Sequence, residues 1–199
     1  VLGGILQLYK ESKFFAENQA AHRWEKHRGL RELSGKTACI IGTGSVGSAI
    51  ARRLRAFDVQ TVGMNRSGHP AAEFDQTQPT CRLDDLLPLA DLVICAMPLT
   101  AETAGLFDSV RIAKIKPGAV FVNVARGKGK DQQALVEALQ SGQLSGAVLD
   151  VFEEEPLPRS SPLWDMEQVI LTPHNSFVGE HNGERLFRLI CKNLESFAQ

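Results

Sequence analysis

The turn Gly42-Thr43-Gly44-Ser45-Val46-Gly47 decides the fold of this chain, because its glycines follow the pattern G-x-G-x-x-G. An apolar run, Ala38-Cys39-Ile40-Ile41, precedes the turn, and a segment with helical spacing, Ser45–Phe57, follows it. Between a strand and a helix, the first glycine permits the tight bend, the second lets the backbone approach a pyrophosphate, and the third permits close helix–strand packing. The helix N-terminus adds amide donors and positive potential. The turn therefore predicts nucleotide binding.

Outward from this turn, short apolar runs alternate with segments of helical spacing. The apolar runs predict strands at Thr37–Ile41, Val59–Met64, Asp91–Ala96, Ala119–Ala125, Gly146–Val151 and Gln168–Leu171. Helices are predicted at Ser45–Phe57, Leu83–Leu89, Asp108–Lys114 and Asp131–Leu139, and both chain ends are also expected to be helical. In the first of these helices, one apolar face is expected from Val46, Ala49, Ile50, Leu54 and Phe57. Continuous apolar strands alternating with helices are typical of α/β proteins with a doubly wound parallel sheet.

The bulk composition is that of an ordinary globular protein. The chain has 199 residues, of which 43% are hydrophobic and 23% charged, with a formal net charge of −1. This balance gives no overall bias toward nucleic acid or an anionic membrane, and no apolar stretch reaches the roughly 18 residues that span a bilayer. We therefore expect a cytoplasmic protein with no nucleic-acid or membrane partner and no metal site. The scattered cysteines form no C-x-x-C pair and are expected to be buried and reduced: Cys39, Cys81, Cys95 and Cys191.

The end of the second predicted strand bears on the choice of cofactor. A carboxylate at this position binds the 2′-hydroxyl of NAD, whereas an arginine accommodates the 2′-phosphate of NADP. The chain reads Gly63-Met64-Asn65-Arg66-Ser67, which contains no carboxylate. This favours NADP over NAD, with Asn65, Arg66 and Ser67 as candidate contacts. The alternative is that Arg66 is a solvated surface cation.

Three later segments each place a charged or titratable side chain just beyond an apolar run. They are Val122-Asn123-Val124-Ala125-Arg126-Gly127, Leu149-Asp150-Val151-Phe152-Glu153-Glu154-Glu155-Pro156 and Leu171-Thr172-Pro173-His174. In an open α/β sheet, residues just past the carboxyl ends of the strands line the ligand crevice, so a guanidinium, a carboxylate and an imidazole can meet there. Taken singly, each has an ordinary alternative: a surface ion pair for Arg126, a solvated loop for the glutamates, and a structural role for His174.

From about Glu32 to Ser176 the chain resembles the cofactor domain of the D-isomer-specific 2-hydroxyacid dehydrogenases, which include phosphoglycerate dehydrogenases and glyoxylate or hydroxypyruvate reductases. The resemblance rests on separate motifs in the same order and spacing. Besides the glycine turn, they are Leu33-Ser34-Gly35-Lys36-Thr37, Met97-Pro98-Leu99-Thr100 with Thr103, Asn123-Val124-Ala125-Arg126-Gly127, Leu149-Asp150-Val151-Phe152 with Glu155-Pro156, and Thr172-Pro173-His174. The chain departs from the pattern at Lys128-Gly129-Lys130, where the family usually has apolar residues.

The resemblance implies a Rossmann-type domain with a catalytic set of three residues. Arg126 would anchor a 2-oxo acid and polarise its carbonyl, and His174 would be the general acid–base. Glu155, which immediately precedes the proline as in the family, would hold the imidazole. Asp150 would contact the nicotinamide carboxamide. The expected cofactor contacts are Gly42, Gly44, Ser45, Val46, Gly47, Asn65, Arg66, Ser67, Pro98, Thr103, Val124, Arg126, Asp150 and His174.

The family normally has a substrate domain of about a hundred residues before the cofactor domain, but only Val1–Lys36 precedes the first strand here. We therefore expect a fragment or truncated form of weak activity. Its parts would be an interdomain and dimerisation arm at 1–31, the NADP- or NAD-binding domain at 32–182, and a helix at 183–199 leading back toward the absent domain. The resemblance also implies a homodimer and a small 2-oxo or 2-hydroxy acid substrate. Two alternatives are a nicotinamide-sensing, corepressor-like binding module and a structural remnant.

Overall fold

Seven strands form the centre of the molecule in a computed structural model that describes residues 1–197. They are β1 (Thr37–Ile41), β2 (Gln60–Asn65), β3 (Gln76–Pro79), β4 (Leu92–Cys95), β5 (Val120–Asn123), β6 (Gly146–Leu149) and β7 (Val169–Leu171). All pairings are parallel, in the order β3-β2-β1-β4-β5-β6-β7. Ile41, the last residue of β1, is in register with Met64 of β2 and Cys95 of β4. This order confirms the predicted doubly wound sheet, whose ligand crevice lies at the carboxyl ends of β1 and β4.

The helices lie between and around these strands. They are α1 (Leu2–Tyr9), α2 (Ser12–Ala20), α3 (Ser45–Arg55), α4 (Leu83–Leu86), α5 (Ser109–Lys114), α6 (Gln132–Gln140) and α7 (Asn182–Phe197). Asp108 and Asp131 cap α5 and α6 by accepting backbone N–H bonds from Arg111 and Ala134, as aspartates do at helix starts. The predicted helix at Leu83–Leu89 changes to a 3-10 turn after Leu86.

Alternate residues of the strands form separate apolar cores on the two faces of the sheet, as the two-residue repeat of a strand requires. One core is centred on Phe107 and Phe121, whose rings pack edge to face at 5.2 Å. The other contains Ile40 and Leu54 and is closed by α1, where Ile5 is completely buried. The first helix of the predicted arm is therefore part of the core on this face.

The sequence missed β3 and misplaced two apolar side chains. Strand β3 has the sequence Gln-Thr-Gln-Pro at the sheet edge and is nowhere fully buried, so no apolar run marks it. Val46 and Phe57, predicted on the buried face of α3, are 52% and 42% exposed. Val46 lies in the first turn beside the crevice, and Phe57 lies beyond the helix end at Arg55, where helical spacing no longer applies.

The C-terminal helix and the four cysteines differ in how far they are buried. Helix α7 has no buried residue in its described part, and Ala198 and Gln199 of the predicted 183–199 segment lie outside the described residues. Cys39 and Cys95 are buried as expected, but Cys81 is exposed and Cys191 partly exposed, since neither lies in the interior of the sheet. No helix within residues 1–197 has the length and apolar character needed to cross a membrane.

Candidate active site

The glycine turn has a backbone that only glycine permits at two positions. Gly42 has φ +107°, and a Cβ there would lie 2.7 Å from the Ala96 carbonyl oxygen. A Cβ on Gly47 would lie 1.8 Å from the carbonyl oxygen of Gly42, so α3 packs directly on the turn. A Cβ on Gly44 would meet nothing within 4 Å. The first and third glycines are thus required by the fold, whereas the second leaves open space in front of the turn.

The start of α3 is suited to an anion in that open space. Gly44 is the N-cap and supplies no side chain to the amides of the first turn, and Ser45 and Val46 are exposed there. Uncapped amides at a helix N-terminus attract phosphate oxygens. The predicted residues Gly42–Gly47 therefore fit the pyrophosphate of a dinucleotide.

The loop after β2 is fixed by the side chain of Asn65. Its Nδ2 donates to the Thr43 Oγ1 at 3.2 Å and to the His69 carbonyl at 2.8 Å, while its Oδ1 accepts from the His69 amide at 3.0 Å. The predicted contact residue Asn65 thus ties the loop to the glycine turn. Arg66 and Ser67 are exposed on this loop, and the Arg66 guanidinium donates to Glu102, a residue that the sequence did not single out.

The loop after β4 is closed by Thr103. Its Oγ1 donates to the Pro98 carbonyl at 2.7 Å and accepts from the Thr100 amide at 2.7 Å. Both predicted residues, Pro98 and Thr103, therefore take part in one turn beside the crevice. Their direct contact with a cofactor stays a prediction.

His174 and Glu155 form the central pair of the site. The imidazole Nδ1 lies 2.8 Å from Glu155 Oε2, and Glu155 Oε1 accepts the Phe152 amide at 2.9 Å. Partial burial opposes ionisation of the glutamate, but the bonds from His174 and Phe152 outweigh it and hold the pKa of Glu155 below its usual value. Among the described residues, no hydrogen bond uses the imidazole Nε2. The pair therefore presents an oriented imidazole with one free ring nitrogen.

The segment that carries His174 is organised by buried Asp150. One carboxylate oxygen accepts from the Thr172 hydroxyl at 2.5 Å and the Asn175 amide at 2.8 Å, and the other from the Ser176 amide at 3.0 Å. The Asp150 carbonyl accepts the amide of His174 at 2.8 Å.

Burial would raise the pKa of Asp150, but these hydrogen bonds bring it below its usual value, so the carboxylate is charged. It stabilises a turn in which His174 has φ +51°, an uncommon conformation for a residue other than glycine. The expected contact of Asp150 with a nicotinamide carboxamide stays a prediction.

The loop after β5 presents Arg126 and contacts the loop after β6. The side chain of buried Asn123 accepts from the Ala125 amide at 3.0 Å and donates to the Arg126 carbonyl at 3.2 Å, which shapes the turn. A Cβ on Gly127 would lie 1.7 Å from the Phe152 carbonyl oxygen, so the two loops touch through their backbones. Val124 is half-buried at this edge. The Arg126 residue is exposed, and its Nη1 donates to the Ala125 carbonyl at 2.7 Å.

Lys130, one of the residues that depart from the family pattern, is buried beneath this loop at 2% exposure. Its Nζ donates to Gln132 Oε1 at 3.3 Å, and the Gln132 amide donates to Glu153 Oε1 at 2.6 Å. Burial lowers the pKa of Lys130, although nearby Glu153 opposes the shift. The lysine thus joins the start of α6 to the loop that carries Glu155 through one glutamine.

A cavity of about 580 Å³ opens beside the His174–Glu155 pair. Apart from these two residues and Thr172, its lining is mainly apolar, including Pro156, Leu157, Trp164 and Leu171. No cluster of His, Cys, Asp or Glu side chains within residues 1–197 is arranged to hold a metal ion. The polar side chains at this edge include the His174 imidazole, the Glu155 carboxylate and the Arg126 guanidinium on the neighbouring loop.

The sequence and the fold both match known proteins. Residues 2–176 match the family model of the D-isomer specific 2-hydroxyacid dehydrogenase, NAD binding domain. The glyoxylate/hydroxypyruvate reductase B of Citrobacter koseri is 41% identical over 179 residues, which are 87% of this chain and 55% of that protein. The chain spans about half the length of the curated relatives it matches.

Two crystal structures show the same architecture. A D-isomer specific 2-hydroxyacid dehydrogenase family protein from Aeromonas salmonicida superposes with a TM-score of 0.90 at 38% identity, over 99% of this chain and 63% of that one. An NADPH-dependent glyoxylate/hydroxypyruvate reductase from Sinorhizobium meliloti, in complex with NADP and sulfate, superposes with a TM-score of 0.86 at 30% identity. The superposition covers 99% of this chain and 63% of that one.

Proposed function

The chain belongs to the D-isomer specific 2-hydroxyacid dehydrogenase family, and we propose that it binds NADPH in preference to NADH and carries the side chains for hydride exchange with a small 2-oxo or 2-hydroxy acid. The observation that carries this proposal is the His174–Glu155 pair, 2.8 Å apart at the carboxyl edge of the sheet. The glycine turn at the same edge has the shape and the free amides that a dinucleotide pyrophosphate requires.

The proposed role of His174 follows from how its ring is held. Glu155 accepts a hydrogen bond from Nδ1, which fixes the orientation of the ring. Nε2 is then free to give its proton to the carbonyl oxygen of a 2-oxo acid as that oxygen becomes a hydroxyl, and to take it back in the reverse reaction. The hydride itself would be supplied or accepted by a bound nicotinamide.

Arg126 is the group proposed to bind the acid. A guanidinium matches a carboxylate with two parallel hydrogen bonds, and Arg126 is exposed at the crevice edge with its backbone shaped by Asn123. Its fixed charge also stabilises negative charge on the carbonyl oxygen. The names of the relatives suggest glyoxylate and hydroxypyruvate as the first acids to try.

Turnover by the 199-residue chain is expected to be weak. Within residues 1–197 the seven-stranded sheet is the only sheet, and no second domain covers the crevice. Positioning and shielding of a substrate can supply roughly 7–11 kcal/mol of a reaction barrier, so an open crevice loses much of the rate. We expect measurable but slow loss of NADPH with glyoxylate or hydroxypyruvate.

The test combines binding and turnover on the same protein. His174→Gln should lower turnover about a hundredfold or more, as removal of a general acid–base does, and should change NADPH affinity far less than turnover. His181→Gln, an exposed histidine before α7, is the matched control and should change neither. NADPH binding with no turnover and cofactor-dependent capture of a partner would favour a nicotinamide-sensing module. Failure to bind either cofactor would contradict the proposal and favour a structural remnant.

Cofactor preference gives the first prediction. NADPH should bind more tightly than NADH. Arg66→Ala should reduce the difference between the two binding free energies by about 1–3 kcal/mol, the scale of a hydrogen bond to a charged group. Fluorescence titration with each cofactor measures the two affinities. Equal affinities in the unmutated protein would contradict the proposed role of Arg66.

We also propose a cytoplasmic homodimer in which residues 12–31 contribute to the interface. Support comes from large apolar side chains exposed on that segment: Phe15 at 37%, Trp24 at 98% and Leu30 at 40%. Exposed apolar clusters of this kind mark contact surfaces, and two-fold symmetry is the commonest arrangement. Light scattering should give the dimer mass at roughly tens of micromolar, and Trp24→Ser should shift it toward the monomer. A monomer of the unmutated chain at that concentration would count against the homodimer.

A further inference from the structure

An ion pair joins the loops that follow β2 and β4, the two strands on either side of β1. Arg66 follows β2 and Glu102 follows β4, and the strand between them in the sheet is β1, which leads into the turn. The Arg66 Nη2 lies 2.5 Å from Glu102 Oε2, although the two residues are 36 positions apart. The side chains are 82% and 65% exposed. The pair therefore bridges the two loops that flank the nucleotide turn, on the solvent side.

The backbones on both sides of this bridge are held in place. Asn65 closes the loop next to Arg66 through two hydrogen bonds with the backbone of His69. Thr103 closes the turn next to Glu102 through its bonds with Pro98 and Thr100. Two turns with hydrogen-bonded backbones thus carry opposite charges, and the side chains that meet between them are both exposed.

We propose that Glu102 is a specificity-determining residue that competes with the cofactor for Arg66. This inference rests on the proposed function, in which Arg66 receives the 2′-phosphate of NADPH. A carboxylate and a phosphate accept hydrogen bonds from the same guanidinium N–H donors. Glu102 and the 2′-phosphate therefore cannot both bind all of the Arg66 donors at once. In the absence of cofactor, Glu102 therefore binds the Arg66 donors that the 2′-phosphate of NADPH would use.

The competition lowers the affinity for NADPH more than the affinity for NADH. NADPH has to displace Glu102 from Arg66, and its phosphate then lies near a carboxylate of like charge. NADH carries no phosphate at this position and meets less of that repulsion. Glu102 thus limits the NADPH preference that Arg66 creates, and the balance between the two residues sets the ratio of the two affinities.

The change that tests this competition is Glu102→Gln, which keeps the size of the side chain and removes its charge. NADPH affinity should rise about two- to fivefold, the range for loss of one exposed ion pair, and NADH affinity should rise less than about twofold. Glu102→Lys adds a second cation and should raise NADPH affinity about tenfold, the scale of one hydrogen bond to a charged group. Both gains should shrink as salt is raised, because the groups are exposed.

The control variants separate competition from general electrostatics. Glu167→Gln makes the same change at an exposed residue just before β7, the edge strand three positions from β4, and should leave both affinities unchanged. In the Arg66→Ala background, Glu102→Gln should raise NADPH affinity less than in the unmutated chain, because no guanidinium remains to be released. An equal gain in both backgrounds would show that Glu102 acts only through distant repulsion and would overturn the competition.

The outcomes also distinguish this inference from the function on which it rests. The experiment is a fluorescence titration of the complete 199-residue chain with NADPH and with NADH. If the unmutated chain binds neither cofactor, the proposed function fails and the inference fails with it. If the chain prefers NADPH and Glu102→Gln leaves the ratio of affinities unchanged, the function stands and the role of Glu102 is wrong.

Discussion

The two ends of the crevice hold their charged side chains in different ways. At the proposed catalytic end, the carboxylate of Asp150 is buried and accepts three hydrogen bonds from the segment that carries His174. At the proposed ribose end, the charged groups of Arg66 and Glu102 are exposed and meet in one ion pair. Buried charge with full hydrogen bonding is costly to disturb, whereas an exposed pair contributes little to folding. The proposed catalytic end is thus held in a fixed geometry, whereas the two charges at the proposed ribose end can separate at little cost in folding stability.

The largest effect expected from this comparison is that of Asp150→Asn. The amide keeps the shape of the side chain but replaces one acceptor oxygen with an N–H₂ group. The 172–176 turn therefore loses part of the hydrogen bonding that Asp150 gives it. The free energy of unfolding should fall by about 3 kcal/mol, as for a buried hydrogen-bonded charge. Urea unfolding at neutral pH measures the change. Asp165→Asn, at an exposed aspartate, is the matched control and should stay within about 0.5 kcal/mol. A loss below about 1 kcal/mol for Asp150→Asn would remove the distinction drawn between the two ends.

Much of the fold could be predicted because apolar runs record burial in a parallel sheet. The ends of the elements could not, since they depend on single side chains. The predicted strand at Ala119–Ala125 stops at Asn123 because the side chain of Asn123 hydrogen-bonds to the backbone of Ala125 and Arg126 and turns the chain. Strand β3 was missed because its polar sequence lies at an exposed edge.

The candidate site was predicted in part. The structure pairs two of the three predicted catalytic residues, His174 and Glu155, and brings the Arg126 loop against the loop of Glu155. The pairing of Arg66 with Glu102 could not be predicted, because nothing in the sequence between them records which loops face each other across β1. The burial of Lys130 also left no signal, because a lysine in a glycine-rich loop ordinarily indicates an exposed position.

A further prediction concerns the buried charge of Lys130, which has a hydrogen bond to Gln132 but no ion pair among residues 1–197. Lys130→Met keeps the length of the side chain and removes the desolvated charge, so the free energy of unfolding should rise by about 2 kcal/mol at neutral pH. Lys128→Met, at an exposed neighbour, is the control and should have little effect. Destabilisation by Lys130→Met would show that the charge is needed to hold the loop that carries Glu155.

The pH dependence of that gain has a definite sign. Burial places the pKa of Lys130 in the folded chain below its ordinary value of 10.5, so the unfolded chain binds more protons between the two values. The cost of the buried charge is complete below the folded pKa and disappears as the pH rises toward 10.5. The stability difference between Lys130→Met and the unmutated chain should therefore shrink over that alkaline window. A difference that stays constant there would contradict the assigned cause.

The smallest effect is expected from the ion pair at the ribose end, and it is the most direct test of the contrast. Because Arg66 and Glu102 are 82% and 65% exposed, a double-mutant cycle with Arg66→Ala and Glu102→Gln should give a coupling free energy of unfolding of about 0.5 kcal/mol or less. The coupling should vanish in high salt, since exposed charges are screened within a few ångströms there. The same cycle measured by NADPH affinity should keep its coupling at low salt, because the phosphate and Glu102 compete for Arg66 in the bound state. A coupling above about 2 kcal/mol in unfolding would show that the pair is structural, and the ribose end would then be as fixed as the turn that Asp150 holds.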